Sequence, residues 1–472
     1  MNLNKIIKNA SYLFVGNIGI RLITAASTIF LARFLGPKDF GVYAIASAIA
    51  IVAGYFGDLG LTETFIREVN RKEANIPVLL GSYIKIRIFL AIITVLVTYV
   101  FIRIFYNDAS LLYAITWIVF PIIIGNTFQG TTLAYFQSRE QMAMSSLLVF
   151  FQGMLSAMTI FIAIYLKWSF PFFVPIYGCS FLFAGLCSFI VLLNYTTIRK
   201  GWDKGLFNQL VAFTINGIII MLLPQIGPIV LEKVATLGTV GYFSTAYKIP
   251  SVLYQIPGVI ATAFYPGLFT LGNNKERVNH RNLSKVELKL MSFVGIGISL
   301  PFILFPEFWI SHLLGGQWGK ASTVLAIVSY MVILQSINYP LADYLTTKGQ
   351  QFKRMTVMAF GGVVGILGYT LLGRYYGLMG AAMVPILIES TLLIGFCCFV
   401  YKSLSFLYDS IKFNVFSFLI CILLSKWLPT KFSLISMMIV GLSYFLIVLL
   451  LDRTLFNKGK IIIQKKLRLS HN

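Results

Sequence analysis

Two basic residues carry the strongest chemical signal in this chain. Arg21 has about ten residues of apolar sequence on either side, and Lys248 lies inside a second apolar run. A bare cation at mid-bilayer depth costs about 2.5–3.5 kcal/mol on insertion scales, so such a group should face protein or water rather than lipid. The neighbours agree. Asn17, Arg21, Thr24 and Thr28 are spaced 4, 3 and 4 apart, which puts them on one narrow helical face. Ser244, Lys248, Ser251, Gln255 and Thr262 form a similar stripe, with the basic residue again second. Asn and Thr alone would read as a polar seam between packed helices, and a terminal Lys can snorkel to an interface. Two cations on two such stripes favour a water-filled cavity that holds an anion.

Carboxylates inside the apolar runs are few. Asp58 and Asp343 lie near the ends of their runs, Glu389 lies mid-run, and Glu307 lies toward the opposite end of its own. Asp58 and Asp343 also suit structural charges at helix ends. Glu389 is the stronger candidate for ion coupling, since a buried carboxyl can load and release a proton. No phosphate-binding loop, nucleophile–base pair or paired catalytic carboxylates occur, so no catalytic residue is assigned and an enzyme is not expected. The five cysteines (Cys179, Cys187, Cys397, Cys398, Cys421) fall in apolar runs and read as small packing residues. They and the three scattered histidines show no metal-ligand spacing, so neither metal nor cofactor is expected.

These residues must be positioned by membrane helices. The chain has 472 residues, is 58% hydrophobic and only 11% charged, and has a mean hydropathy of +0.84. That defines an all-α polytopic membrane protein, because the apolar runs are far too long for barrel strands. Fourteen spans are expected: 10–33, 40–62, 79–104, 111–136, 144–166, 171–195, 209–231, 240–268, 288–313, 321–346, 355–373, 378–401, 411–428 and 433–451. The first carries Arg21 at full length, so it reads as a retained span rather than a cleaved signal.

Charge sets the expected orientation. With a cytoplasmic N-terminus, inside segments hold 27 of the 38 basic residues and outside segments nine, leaving Arg21 and Lys248 deep in the membrane. This assigns both termini to the cytoplasm. It also explains the net charge of +22 as attraction to an anionic leaflet, with no call for nucleic acid.

The sequence also repeats itself. Leu31, Gly41, Ala46 and Ile49 recur as Leu231, Gly241, Ala246 and Ile249, at an offset of 200. Asn126, Gln129, Tyr135 and Gln141 answer Gln335, Asn338, Tyr344 and Gln350 at 209, and VPI at 174–176 recurs at 384–386. Spans 1–6 (residues 1–200) are therefore expected to be duplicated as spans 7–12 (201–402), in the same orientation, with a site between the lobes. Residues 403–472 add a hairpin and a basic tail. Pro224, Pro228, Pro250, Pro257 and Pro266 crowd spans 7 and 8, which are expected to bend.

The segments ARFLGPKDFGVYAIA and FGDLGLTETFIRE carry Leu35, Gly36, Pro37, Phe40, Gly41, Tyr43 and Ala44, then Asp58 to Leu61. They resemble the polysaccharide-biosynthesis transport family, the O-antigen and teichuronic-acid type flippases of the multidrug/oligosaccharidyl-lipid/polysaccharide exporter superfamily. The likeness extends over nearly the whole chain through the Tyr344–Gln350 segment and the span count. It implies two six-helix lobes in a V, with helices 1, 2, 7 and 8 lining a central cavity. The implied activity is translocation of an undecaprenyl-pyrophosphate-linked oligosaccharide across the cytoplasmic membrane. The expected partners are that lipid-linked glycan, membrane lipids and other polysaccharide-assembly proteins, with a proton or sodium gradient as the drive. A cation antiporter of the same superfamily and a membrane glycan polymerase are the alternatives. The first suits a net positive cavity poorly, and the second usually needs large outward loops.

Overall fold

The computed structural model describes residues 3–71, 74–199, 201–207, 210–427 and 433–452. The side chains at 3–18, 21, 211–213, 215, 216 and 433 lie outside that description. The described chain is almost wholly helical. Its helices are α1 (Leu3–Phe56), α2 (Leu61–Val69), α3 (Ile76–Phe105), α4 (Ala109–Ser138), α5 (Met142–Tyr165), α6 (Phe170–Tyr195), α7 (Leu210–Leu222), α8 (Ile226–Val234), α9 (Leu237–Leu253), α10 (Gln255–Asn273), α11 (Arg277–Leu304), α12 (Pro306–Leu313), α13 (Ala321–Thr347), α14 (Gln351–Phe399), α15 (Ser403–Ser425) and α16 (Ser433–Leu451). In lipid each backbone amide must be satisfied inside its own segment, which this architecture achieves.

Twelve stretches among the described residues are long and apolar enough to cross a membrane, by length and composition. Two of them, 22–69 and 351–399, run to 48 and 49 residues, about twice a single crossing. Each is broken by a glycine in a non-helical conformation, Gly36 (φ 77, ψ 173) and Gly377 (φ 55, ψ −129). A side chain would be strained there, and glycine is not. Taken as two crossings each, they complete the fourteen read from the sequence.

The structure corrects several boundaries. Residues 63–78, expected as loop, contain much of α2. Its Leu61, Thr64, Phe65, Glu68 and Val69 recur at helical spacing and are buried. Phe65 stacks on Tyr83 at 4.6 Å between centroids. Span 9 ends at Leu304, and Pro306 starts the separate short α12. The prolines break spans 7 and 8 as their chemistry demands. Pro224 sits in a 3₁₀ turn, Leu223–Gln225, between α7 and α8, and Pro250 and Pro257 flank the break at Tyr254 between α9 and α10. All five cysteines are free thiols; Cys421 is buried, whereas Cys179 and Cys398 are exposed and do not serve packing.

The chain folds as two compact units, Met1–Thr245 with Gly365–Ala381, and Ala246–Val364 with Ala382–Asn472. In the first, the second half of α1 crosses α9 at a contact with local two-fold character. A Cβ on Gly41 would run into the Leu237 carbonyl, and one on Gly241 into the Pro37 carbonyl. Residues 37 and 237, like 41 and 241, are 200 apart, so the contact is isologous in the sense of a symmetric dimer. Small residues let helix backbones touch where lipid supplies no hydrophobic drive. In the second unit, the α15–α16 hairpin packs on α11. Tyr444 stacks on Phe293 at 5.7 Å and Asn414 donates to Ser292 Oγ at 2.8 Å. Lys289 pairs with Asp452 at 2.7 Å.

Gly41→Val is expected to destabilise the first unit by about 1–3 kcal/mol, because carbonyl oxygens on a helix cannot yield as a side chain can. Gly258→Ala, with no heavy atom within 4 Å of its Cβ, should be neutral. Thermal unfolding of the detergent-solubilised protein reads both; equal melting curves for the two variants would contradict the assigned close approach.

Candidate functional site

The two basic stripes are described unequally. The side chains of Asn17 and Arg21 lie outside the described residues. On the same helix, Thr24 donates to the Ile20 carbonyl at 2.9 Å and Thr28 to the Thr24 carbonyl at 2.6 Å. Such back-bonding satisfies a hydroxyl donor within its own helix and leaves its oxygen lone pairs for another donor. On α9, Lys248 is exposed and has no carboxylate partner among the described residues. Ser251 donates to the Lys248 carbonyl at 2.7 Å. Ser244 Oγ, one turn earlier, is buried without a hydrogen-bond partner, and Gln255 is half-buried at the start of α10. An ammonium without a carboxylate, flanked by hydroxyls, is an arrangement that attracts anions.

The first unit contains a closed charge network that the sequence reading did not foresee. Arg87, only 5% exposed, lies eleven residues into α3. Its guanidinium pairs with Asp58 Oδ1 at 2.9 Å and donates to the Tyr83 hydroxyl at 2.5 Å, to Thr62 Oγ1 at 3.1 Å and to the Asn126 carbonyl at 3.2 Å. Thr62 in turn donates to Asp58 Oδ1 at 2.6 Å. A carboxylate held by a guanidinium and a hydroxyl is fixed in position by charge-assisted hydrogen bonds as well as by Coulomb attraction. Asp58 is thus held in structure, whatever further role it has. Gly130 on α4 makes room for the guanidinium, since a Cβ there would meet it. The orientation count takes Arg87, with Lys85, among the inside segments. The two are two residues apart and so face opposite ways on the helix; Lys85 is exposed and reaches the Gly201 carbonyl at 3.1 Å.

The second unit treats its buried acids differently. Glu389 is 7% exposed and accepts from Gln335 Nε2 at 2.9 Å and from Asn338 Nδ2 at 2.8 Å. No cation pairs with it among the described residues. These two amides are the mid-span polar positions that matched Asn126 and Gln129 in the repeat. In the first unit Gln152 donates to Asn126 at 3.3 Å and Gln129 to the Leu148 carbonyl at 3.2 Å, with no acid involved. Asp343, 1% exposed, lies 3.7 Å from Arg354 on α14. Facing it from α11 is Glu287, fully buried, neither of whose oxygens has a donor partner. Glu287 was missed because it was assigned to a loop. Its position, 200 residues after Arg87, is the signal that would have found it.

Residues 30–323, more than half of the chain, match the family model described as "Polysaccharide biosynthesis protein". The chain belongs to that family. It is 24% identical over 409 residues to an Escherichia coli (strain K12) protein named as an O-antigen transporter, covering 81% of this chain and 94% of the relative. It is 23% identical over 412 residues to the capsular polysaccharide biosynthesis protein CapF of Staphylococcus aureus, covering 84% and 99%. Among solved structures it is similar to the lipid II flippase MurJ in an inward closed conformation, with a TM-score of 0.76 and 14% identity over 94% of this chain and 99% of that one. An inward-facing multidrug transporter of the MATE family in the MOP superfamily matches with a TM-score of 0.70 and 12% identity, over 82% and 95%. At these identities the structural likeness speaks to the fold.

In this member of the polysaccharide biosynthesis family, then, a multi-pass helical fold holds the Asp58–Arg87 pair, the Glu389 carboxyl with its two amide partners, and Lys248 exposed within an apolar helix. No group of three or more metal-ligating residues occurs among the described residues. Arg87→Ala should leave the half-buried Asp58 without its guanidinium partner, at a cost of about 1–3 kcal/mol. The Asp58→Ala, Arg87→Ala double variant should lose less than Arg87→Ala alone, because neither charge is then stranded. A thermal-shift double-mutant cycle checks this; simple additivity would show that the pair does not couple.

Proposed function

We propose that this protein is a flippase that moves an undecaprenyl-pyrophosphate-linked oligosaccharide across the cytoplasmic membrane, with both termini cytoplasmic. Two six-helix lobes, residues 1–200 and 201–402, would alternate access to a site between them, and the 403–472 segment would sit outside that cycle. The observation that carries the reading is Lys248, a cation exposed within an apolar helix, without a carboxylate, on a face shared with hydroxyl groups. A pyrophosphate is the part of such a cargo that needs a cation, and a glycan is the part that needs hydroxyls and amides. Arg21 would be the second cation. Asn17, Thr24, Thr28, Ser244, Ser251 and Gln255 would line the glycan path. The polyprenyl tail, being hydrocarbon, can remain in lipid. The names of the relatives, an O-antigen transporter and a capsular polysaccharide biosynthesis protein, support a glycan cargo, as does the fold shared with a lipid II flippase.

Glu389 is the group we assign to coupling. It is buried, held by two neutral amides and free of a cationic partner, so gaining or losing a proton or sodium ion there changes the local charge without breaking an ion pair. Asp58 and Asp343 would serve it structurally. The same feature also suits a cation antiporter of the MATE type, the second reading, and transport assays separate the two.

In proteoliposomes loaded with a fluorescent lipid-linked oligosaccharide, Lys248→Ala and Arg21→Ala are each expected to cut translocation by at least about tenfold, the value of one charge-assisted contact to phosphate. Melting behaviour should be unchanged, and Lys248→Arg should retain part of the activity. Normal flipping by the double alanine variant, or export of a cationic dye with no glycan flipping, would overturn the assignment. Glu389→Gln keeps the shape and both amides nearby but cannot release a proton. It should abolish the response of flipping to an imposed proton or sodium gradient while cargo binding survives. A gradient response equal to wild type would remove Glu389 from coupling.

A further inference from the structure

The second unit contains a cavity of about 740 Å³ that plays no part in the cargo reading. It lies where α10 ends, α11 begins and α13 ends, and four cations line it: Lys275, Arg277, Arg281 and Lys348. No carboxylate lines it. Arg281 spends its donors on backbone carbonyls, those of Tyr401 and Lys402. Lys348 reaches the Tyr344 hydroxyl. Lys275 and Arg277 are exposed and have no carboxylate partner among the described residues. The nearest acid in sequence, Glu276, is turned to Asn279, whose amide donates to it at 2.7 Å.

Four like charges around one recess repel one another unless something neutralises them. The first unit shows the usual solution. There Arg67 and Arg71 pair with Glu68 at 2.9 and 3.3 Å, and Arg71 also pairs with Asp203 at 3.1 Å. No acid lines this recess, so its cations are left to solvent ions or to a bound anion. One further feature is aimed at an anion. The first turn of α11, a helix of 28 residues, opens on the cavity with the positive end of its dipole. His280, also in the lining and 1% exposed, donates from Nε2 to the Thr347 hydroxyl at 2.8 Å, since that hydroxyl gives its own proton to the Asp343 carbonyl, and so it adds no anion contact. Tyr344 and Tyr401 supply flat apolar walls.

We infer that this cavity is an anion site for a phosphate-bearing, multiply charged group. A volume near 740 Å³ exceeds a bare phosphate and suits a diphosphate with an attached organic moiety or a phospholipid headgroup. Lys275 and Arg277 make the open contacts, since Arg281 and Lys348 are already anchored. The charge distribution that assigns the termini to the cytoplasm places this recess on the same side. The site does not depend on the flippase reading, and its test avoids the cargo stripe by using a Lys248→Ala background.

The experiment uses the full-length protein in phosphatidylcholine nanodiscs. One arm titrates inorganic pyrophosphate by calorimetry; the other adds phosphatidic acid to the disc and follows retained lipid by native mass spectrometry. At least one probe is expected to bind, and Arg277→Glu to weaken it by about tenfold or more, because it restores an internal carboxylate. Lys275→Asn with Arg277→Gln should do the same; Asn tolerates the left-handed backbone of Lys275 (φ 57), so folding is not at issue. Lys426→Glu, an exposed cation outside the cavity, should change affinity less than twofold. Binding of pyrophosphate alone identifies a soluble ligand, and retention of phosphatidic acid alone a lipid headgroup; each supports the site. Binding of neither probe below about 1 mM, or binding that both cavity variants leave unchanged, would overturn it.

Discussion

Hydrocarbon cannot solvate a charge or a bare peptide group, and the Asp58–Arg87 pair shows how this chain answers that constraint. The guanidinium is almost inaccessible, yet a carboxylate, a phenol, a threonine and a carbonyl meet its two terminal nitrogens, and only Nε is left without a partner among the described residues. Those partners come from three segments of the first unit: the turn after α1 and the start of α2, then α3, then α4. Holding them on one group fixes the relative depth of the three helices more tightly than apolar packing alone. The left-handed Leu59 and Gly60 that turn the chain into α2 are what bring Thr62 back over Asp58.

The duplication written in the sequence has a physical trace. Gly41 and Gly241 press on each other's helices through carbonyls that are themselves 200 residues apart. Such reciprocity is what two copies of one segment give when they meet about a local two-fold axis. The same offset pairs Arg87 with Glu287, so each copy buries an ionisable side chain at the corresponding place, a guanidinium in one and a carboxyl in the other. In the first unit Asp58 and Glu68 are held by arginines. In the second, Asp343 lies near Arg354, whereas Glu389 keeps only neutral amides and the basic cavity at the start of α11 is lined by no acid.

That asymmetry is what the proposed transport cycle would draw on. A closed ion pair resists change, because opening it strands two charges. A carboxyl held by neutral donors, or an ammonium with no counter-charge, has an interaction left to make. Prolines follow the same division. Those at 224, 228, 250 and 257 break or flank breaks in the second copy's first two spans, whereas the first copy's counterpart is interrupted at Gly36.

Much of this was legible from the residues alone. Helix count follows from apolar run length, because a bilayer has one thickness; breaks follow from Gly36 and the prolines, because backbone geometry is local. Matched residues at offsets of 200 to 210 led to the expected repeat, and Glu389 was visible as a mid-span acid. What the sequence could not determine was which charges are consumed. Arg87 and Lys85 look alike in a charge count and differ only in which side of α3 they occupy. The same holds for Asp58, bound in a network, against Glu389, which keeps only neutral amides. Partnership between residues tens or hundreds of positions apart is decided by which helix faces meet, and that is a property of the folded chain, not of any segment within it.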